Sequence, residues 1–151
     1  MSKLFLGMAG ALVALTFGAG LAMAGGDDAI TARKACMKAN NAGVGAMVAM
    51  IKGEKPYDAA VVKTALDTMG KACSAWDTFW PEDSMTSTTL KTHASDAIWK
   101  DKAGFAAAGA AAYKAETALA ATTDEASFKA AFPAVGAACG GCHKAFRTAL
   151  E

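Results

Sequence analysis

The chain has 151 residues, 54% of them apolar and 19% charged, with 15 basic against 14 acidic side chains and a formal net charge of +1. That length holds one domain. With no basic stripe interleaved with aromatics, the sequence argues against nucleic acid as a partner.

Residues 1–24 read as a signal peptide. Lys3 gives a short positive start, residues 4–21 are apolar or small apart from one threonine, and Ala22-Met23-Ala24 supplies the small-x-small pattern a signal peptidase needs. As a membrane anchor the run is marginal, because its 18 residues lie near the lower limit for spanning a bilayer and four glycines weaken it as a helix. Cleavage leaves residues 25–151 as one exported domain of 127 residues without a stable membrane anchor. Lys3 departs with the leader, so the mature chain is formally neutral, and its expected location is the bacterial periplasm. All four cysteines lie in the exported part, where disulfides persist.

No strand-like alternation is sustained, which points to an all-α fold. The first helical segment runs from about residue 29 to 52, with Ile30, Met37, Val44, Met47, Val48 and Ile51 on one face. Gly53-Glu54-Lys55-Pro56 breaks it. A second segment runs from about residue 57 to 75, with Val62, Leu66, Met69 and Cys73 along its inner stripe. An irregular crossover follows from residue 76 to 96, carrying Pro81 and a Ser/Thr cluster. The third segment, roughly 98–121, is so alanine-rich that propensity alone predicts a helix. Thr122 with Glu125 matches a capping box opening the fourth helix. Its inner face carries Phe128, Phe132, Val135, Cys139, Cys142, Phe146 and Leu150, and Pro133 is expected to kink it.

Two short connections and one long one describe two antiparallel helix pairs joined by a crossover, an antiparallel four-helix bundle. Its core is short of large groups: the mature chain has four leucines, Leu66, Leu90, Leu119 and Leu150. Alanine-faced helices approach closely but bury little apolar area. Such a bundle has room for a large flat apolar cofactor.

Cys139-Gly140-Gly141-Cys142-His143 says which one. Three chemistries use such a cluster: zinc, a redox dithiol, or covalent haem. Zinc needs further ligands, and the other histidine, His93, lies in the crossover. A thioredoxin-like dithiol belongs near a βαβ pattern, and none is visible. C-x-x-C-H is the attachment signal for c-type haem. Thiols three apart on a helix share a face and form thioethers with the two vinyl groups, while the adjacent imidazole reaches the iron. The expectation is one haem c per chain, covalently bound near the C-terminus through Cys139 and Cys142, with His143 as proximal metal ligand.

The CGGCH cluster, "KGEKPYDAA" at residues 52–60, Ile98-Trp99 and "FPAVGAACGGCHKAFR" together resemble cytochrome c prime, the class II c-type cytochromes, over essentially the whole mature chain. The resemblance implies a periplasmic antiparallel four-helix bundle with haem near the C-terminus, in which dimers are frequent. It also implies a distal position at Met37. Some members of that family merely cover a five-coordinate iron there, while low-spin members ligate it through methionine.

Helical arithmetic agrees that Met37 can face His143. Met37 precedes the first turn by 17 or 18 residues and His143 follows the last turn by about 20, so their heights differ by only ~4 Å. Arg33 and Arg147, one turn beyond each, reach similar heights and are candidate partners for the haem propionates, which suit the planar guanidinium fork. Arg33 matches an arginine common in the five-coordinate type, so the motif leaves iron coordination open. Cys36 and Cys73 lie symmetrically about the first turn, at equal height in an antiparallel hairpin, and are a candidate disulfide beside Met37. Trp76, Phe79, Trp80 and Trp99 are read as packing the crossover onto the bundle, and His93 as exposed.

The expected function is one-electron transfer by a monohaem c-type cytochrome, its iron held by His143 and Met37, meeting periplasmic redox proteins transiently. The competing function is a five-coordinate protein that binds or buffers nitric oxide or another gas ligand. No catalytic acid–base pair, nucleophile or phosphate loop stands out, so an enzyme is not expected.

Overall fold

The structure is a computed structural model and describes residues 25–149. The expected signal peptide and Leu150 lie outside the described residues. Five helices follow in chain order: α1 (Gly26–Ile51), α2 (Ala59–Ala72), α3 (Ala97–Lys100), α4 (Lys102–Ala120) and α5 (Glu125–Phe146). Two 3-10 turns, Trp76–Thr78 and Glu82–Ser84, lie in the crossover. The four long helices pack as a bundle, α1 mainly against α2 and α4 against α5, with α2 also meeting α4. Among the described residues, no helix is long and apolar enough to cross a membrane.

Backbone chemistry explains the first hairpin. Gly53 adopts φ +73°, the left-handed conformation that glycine takes without a steric penalty. Its N–H donates to Met50 O at 3.1 Å and that of Glu54 to Ala49 O at 2.9 Å, which closes α1 in a Schellman motif. Asp58 then opens α2 by accepting from the N–H groups of Ala60 and Val61.

Two expectations shift in register. The capping box of α5 is formed by Asp124 and Ser127. Asp124 Oδ1 accepts from Ser127 N at 2.8 Å, and Ser127 Oγ accepts from Asp124 N at 3.3 Å. Thr122 instead donates back to Leu119 O at 2.8 Å, which ends α4, and Glu125 falls inside α5, paired with Lys129 at 2.7 Å. The third segment is two helices. Asp101 sits between them at φ −120°, ψ 67°, and its side chain accepts from Gly104 N to start α4 afresh. Through Pro133, α5 runs unbroken.

The apolar interior forms two clusters. The main core joins Met47 and Met50 of α1, Val62 and Met69 of α2, Ala115 and Leu119 of α4, and Phe128, Phe132 and Val135 of α5. α1 and α2 come close here: a Cβ on Gly43 would stand 2.5 Å from Met69 Sδ, so a larger residue would have to displace the Met69 side chain. The second cluster lies at the other end of the bundle, around Ile98, Phe105 and Phe146, with Trp76, Trp80 and Trp99 packed on it.

Candidate haem-binding site

Cys139, Cys142 and His143 lie in the last two turns of α5, all three half-buried. The two thiols are free and abut different apolar clusters, Cys139 the main core and Cys142 the aromatic one. The attachment motif therefore sits at the seam between them. Burial raises the pKa of both thiols, assisted by the Glu116 carboxylate at Cys139 and by Cys139 itself at Cys142. His143 moves the other way: burial, and then the positive charge of Arg147, lower its pKa. Both effects favour the neutral imidazole, the form that ligates a metal. Among the described residues, no three His, Cys, Asp or Glu side chains converge as a zinc site requires.

Met37 is half-buried on α1, one helical turn after Arg33. Its end of the bundle follows from the main core, to which Met47 of α1 and Phe132 of α5 both belong. Met37 lies ten residues before Met47 and His143 eleven after Phe132. On antiparallel helices these offsets carry both residues away from the core toward the same end of the bundle. Trp80 marks the same end of the bundle from both sides: its ring is 5.2 Å from Arg33 Cζ and 4.7 Å from the Phe105 ring, which is 5.2 Å from that of Phe146.

Both arginines meet the crossover. Arg33 is 4% exposed, and its four terminal N–H groups are engaged by the crossover. Nη1 donates to Phe79 O and Ser84 Oγ, and Nη2 to Ser84 O and Thr92 Oγ1, at 2.7–3.2 Å. With these bonds Arg33 clamps the crossover. Arg147 is not a further turn of helix. The α5 helix ends at Phe146, and Arg147 is exposed with extended backbone, bridged antiparallel to Ala94. Ser95 N donates to Phe146 O, and Thr148 N to His93 O, which straps the crossover to the end of α5. His93 is half-buried in this strap, its Nδ1 3.1 Å from Ala149 O.

Cys36 and Cys73 are joined by a disulfide, with their Cα atoms 4.9 Å apart. Residue periodicity did not reveal four other participants. The indoles of Trp76 and Trp80, with Phe105, belong to the wall around Cys142, whereas the sequence suggested only loop packing. Glu116 faces Cys139 from α4, and burial raises its pKa. The signal for Glu116 was a lone acid on an alanine-rich helix.

These residues fit a haem. Buried Arg33 carries a charge that meets only neutral oxygens and aromatic faces, with no carboxylate paired to it among the described residues. Close by, the buried Trp80 Nε1–H has no acceptor. A buried cation without a carboxylate and an unmatched donor in the aromatic cluster that Cys142 abuts suit an apolar ring bearing carboxylates.

The family model described as Cytochrome C' matches residues 28–147. The chain is 39% identical over 119 residues to cytochrome c-556 of Agrobacterium tumefaciens (strain apple 185), covering 77% of this chain and 91% of that protein. Its fold matches the crystal structure of cytochrome c' from Rubrivivax gelatinosus with a TM-score of 0.73 at 31% identity, covering 82% of this chain and 97% of that one. It also matches a nitric oxide complex of a mutant cytochrome c prime from Alcaligenes xylosoxidans, with a TM-score of 0.72 at 29% identity and coverage of 84% and 98%. The chain therefore belongs to the cytochrome c′ family, as a monohaem cytochrome of the haem electron-carrier kind with one covalently attached haem c, and is not an enzyme.

Proposed function

We propose that the protein is a periplasmic one-electron carrier in which Cys139 and Cys142 tether the porphyrin while His143 and Met37 hold the iron from opposite faces. The observation that supports this reading is that Met37 and His143 lie on antiparallel helices toward the same end of the bundle, ten residues before Met47 and eleven after Phe132 of the main core. When bound, haem supplies an iron that exchanges one electron between ferric and ferrous states.

The chain's own residues do the rest. His143, whose neutral form is favoured by partial burial beside Arg147, presents a free lone pair. The Met37 thioether is an uncharged, soft donor that favours the ferrous state and raises the potential. The two apolar clusters flanking Cys139 and Cys142 limit water at the attachment seam. Partners in this reading are periplasmic redox proteins, met through a small transient surface.

A second reading is favoured by the nitric oxide complex of the Alcaligenes xylosoxidans relative. Here Met37 only crowds a five-coordinate iron, and the protein binds or buffers nitric oxide. Absorption spectra of the ferric and ascorbate-reduced holoprotein separate the two. The electron-carrier reading expects low-spin spectra in both states and high-spin spectra in Met37→Ala. High-spin wild-type spectra, or a Met37→Ala variant indistinguishable from wild type, would overturn methionine ligation and leave the gas-binding reading.

A further inference from the structure

The part of α1 that carries Met37 is almost bare of core contacts. Its buried residues are Ala29, Ile30, Arg33, Cys36, Gly43, Met47 and Met50. Between Arg33 and Gly43 the single buried side chain is Cys36, fully shielded and bonded to Cys73 at the C-cap of α2. The residues around it, Lys34, Ala35, Lys38 and Asn41, are exposed. Close apolar packing of α1 resumes at Gly43 and Met47. Two buried fastenings therefore hold this stretch, the Arg33 clamp on one side of Cys36 and the disulfide itself, one residue before Met37; an exposed Lys34 Nζ also donates to Lys91 O at 3.2 Å.

We infer that the Cys36–Cys73 bridge is a positioning element for Met37, holding the thioether at the distal face so that the sulfur, rather than an incoming ligand, occupies the sixth position on the iron. This rests on the methionine-ligated reading proposed above. A helix stretch without buried apolar side chains has little to resist rotation or translation. A covalent tie to the neighbouring helix removes that freedom at the residue adjoining the ligand. Cys73 is half-exposed and heads directly into the crossover segment that Arg33 grips, so both fastenings hold α1 against the same part of the molecule. Broken, the bridge leaves Arg33 as the remaining buried anchor, one turn away.

The test uses ascorbate-reduced holoprotein and the rate at which carbon monoxide binds, with the visible spectrum recorded alongside. Cys73→Ser removes the bridge but keeps the buried Cys36 sulfur, and Cys36→Ala/Cys73→Ala removes both thiols. Either is expected to bind carbon monoxide at least tenfold faster than wild type and to gain a high-spin fraction. Val62→Ala, which opens the main core on α2, serves as a control that lowers stability without touching the bridge, and should leave the rate within twofold. Should neither cysteine variant fold, phosphine reduction of the wild-type bridge, verified by alkylation of two new thiols, is expected to give the same acceleration. A carbon monoxide rate within twofold of wild type after loss of the bridge overturns the inference, as does equal acceleration in Val62→Ala. Met37→Ala separates the layers. If it accelerates binding while the cysteine variants do not, only the positioning role falls; if it changes nothing, methionine ligation itself falls.

Discussion

Arg33 donates to both the hydroxyl and the carbonyl oxygen of Ser84, at 2.9 and 2.7 Å, across 51 residues of sequence. Ser84 is completely buried, and its hydroxyl donates onward to Pro81 O at 2.7 Å. The crossover is thus organised around one guanidinium, which also lies over the rings of Trp80 and Trp99.

Replacing Arg33 by Ala leaves the buried carbonyls of Phe79 and Ser84 without their donor. Each unsatisfied buried group costs about 1–3 kcal/mol. Arg33→Ala is expected to lower unfolding free energy by about 2–4 kcal/mol in guanidinium titrations of the holoprotein, with Trp fluorescence red-shifted as the crossover opens. Lysine, which lacks the planar fork, should restore little of it.

The Cys36–Cys73 bridge closes a loop spanning 37 residues. Constraint of the unfolded chain over that length is worth about 3–4 kcal/mol in the loop-entropy description. Guanidinium unfolding of Cys36→Ala/Cys73→Ala should show a loss of that order, and unfolding of the wild type in reductant should show the same loss. This is a separate quantity from the carbon monoxide rate.

Glu116 makes stability depend on pH with a definite sign. Burial raises its pKa in the folded state, so the fold binds its proton more tightly than the unfolded chain does. Its contribution is fully present below the ordinary carboxylate range and is lost as pH rises through the raised folded value. Glu116→Gln, uncharged throughout, should flatten this fall and be the more stable protein at neutral pH. Denaturant midpoints measured from pH 4 to pH 8 test it.

Each thiol of the attachment motif should be separable chemically. Cys142→Ala leaves one vinyl group unreacted, extending conjugation in the bound porphyrin, so the pyridine haemochrome band should move to longer wavelength. Colour should persist through denaturing gels because Cys139 still tethers the ring. Cys139→Ala/Cys142→Ala should release all pigment under the same conditions.

The hairpin signals, the alanine-rich helix and the C-x-x-C-H motif are readable from residue order. These depend on local geometry: turn residues at fixed offsets, helical periodicity and a rise of about 1.5 Å per residue, which are properties of short stretches of chain. The opening of α5 was misplaced by two residues because Thr122 and Asp124 both match cap chemistry, and whichever hydroxyl or carboxylate finds the free N–H groups settles the register.

What tertiary structure alone decided is how the crossover engages the long side chains that reach it. The spacing of Ile30, Arg33 and Cys36 puts Arg33 on the buried stripe of α1, but nothing local says that its guanidinium closes on Ser84 and Thr92. The same holds for Arg147, drawn out of the helix because the chain beyond His143 pairs with residues 93–95. The wall of Trp76, Trp80, Phe105 and Phe146 around Cys142 is assembled from three separate parts of the chain. Contacts between residues tens of positions apart follow from how the helices pack, a global minimum over many weak terms that no single stretch of sequence contains.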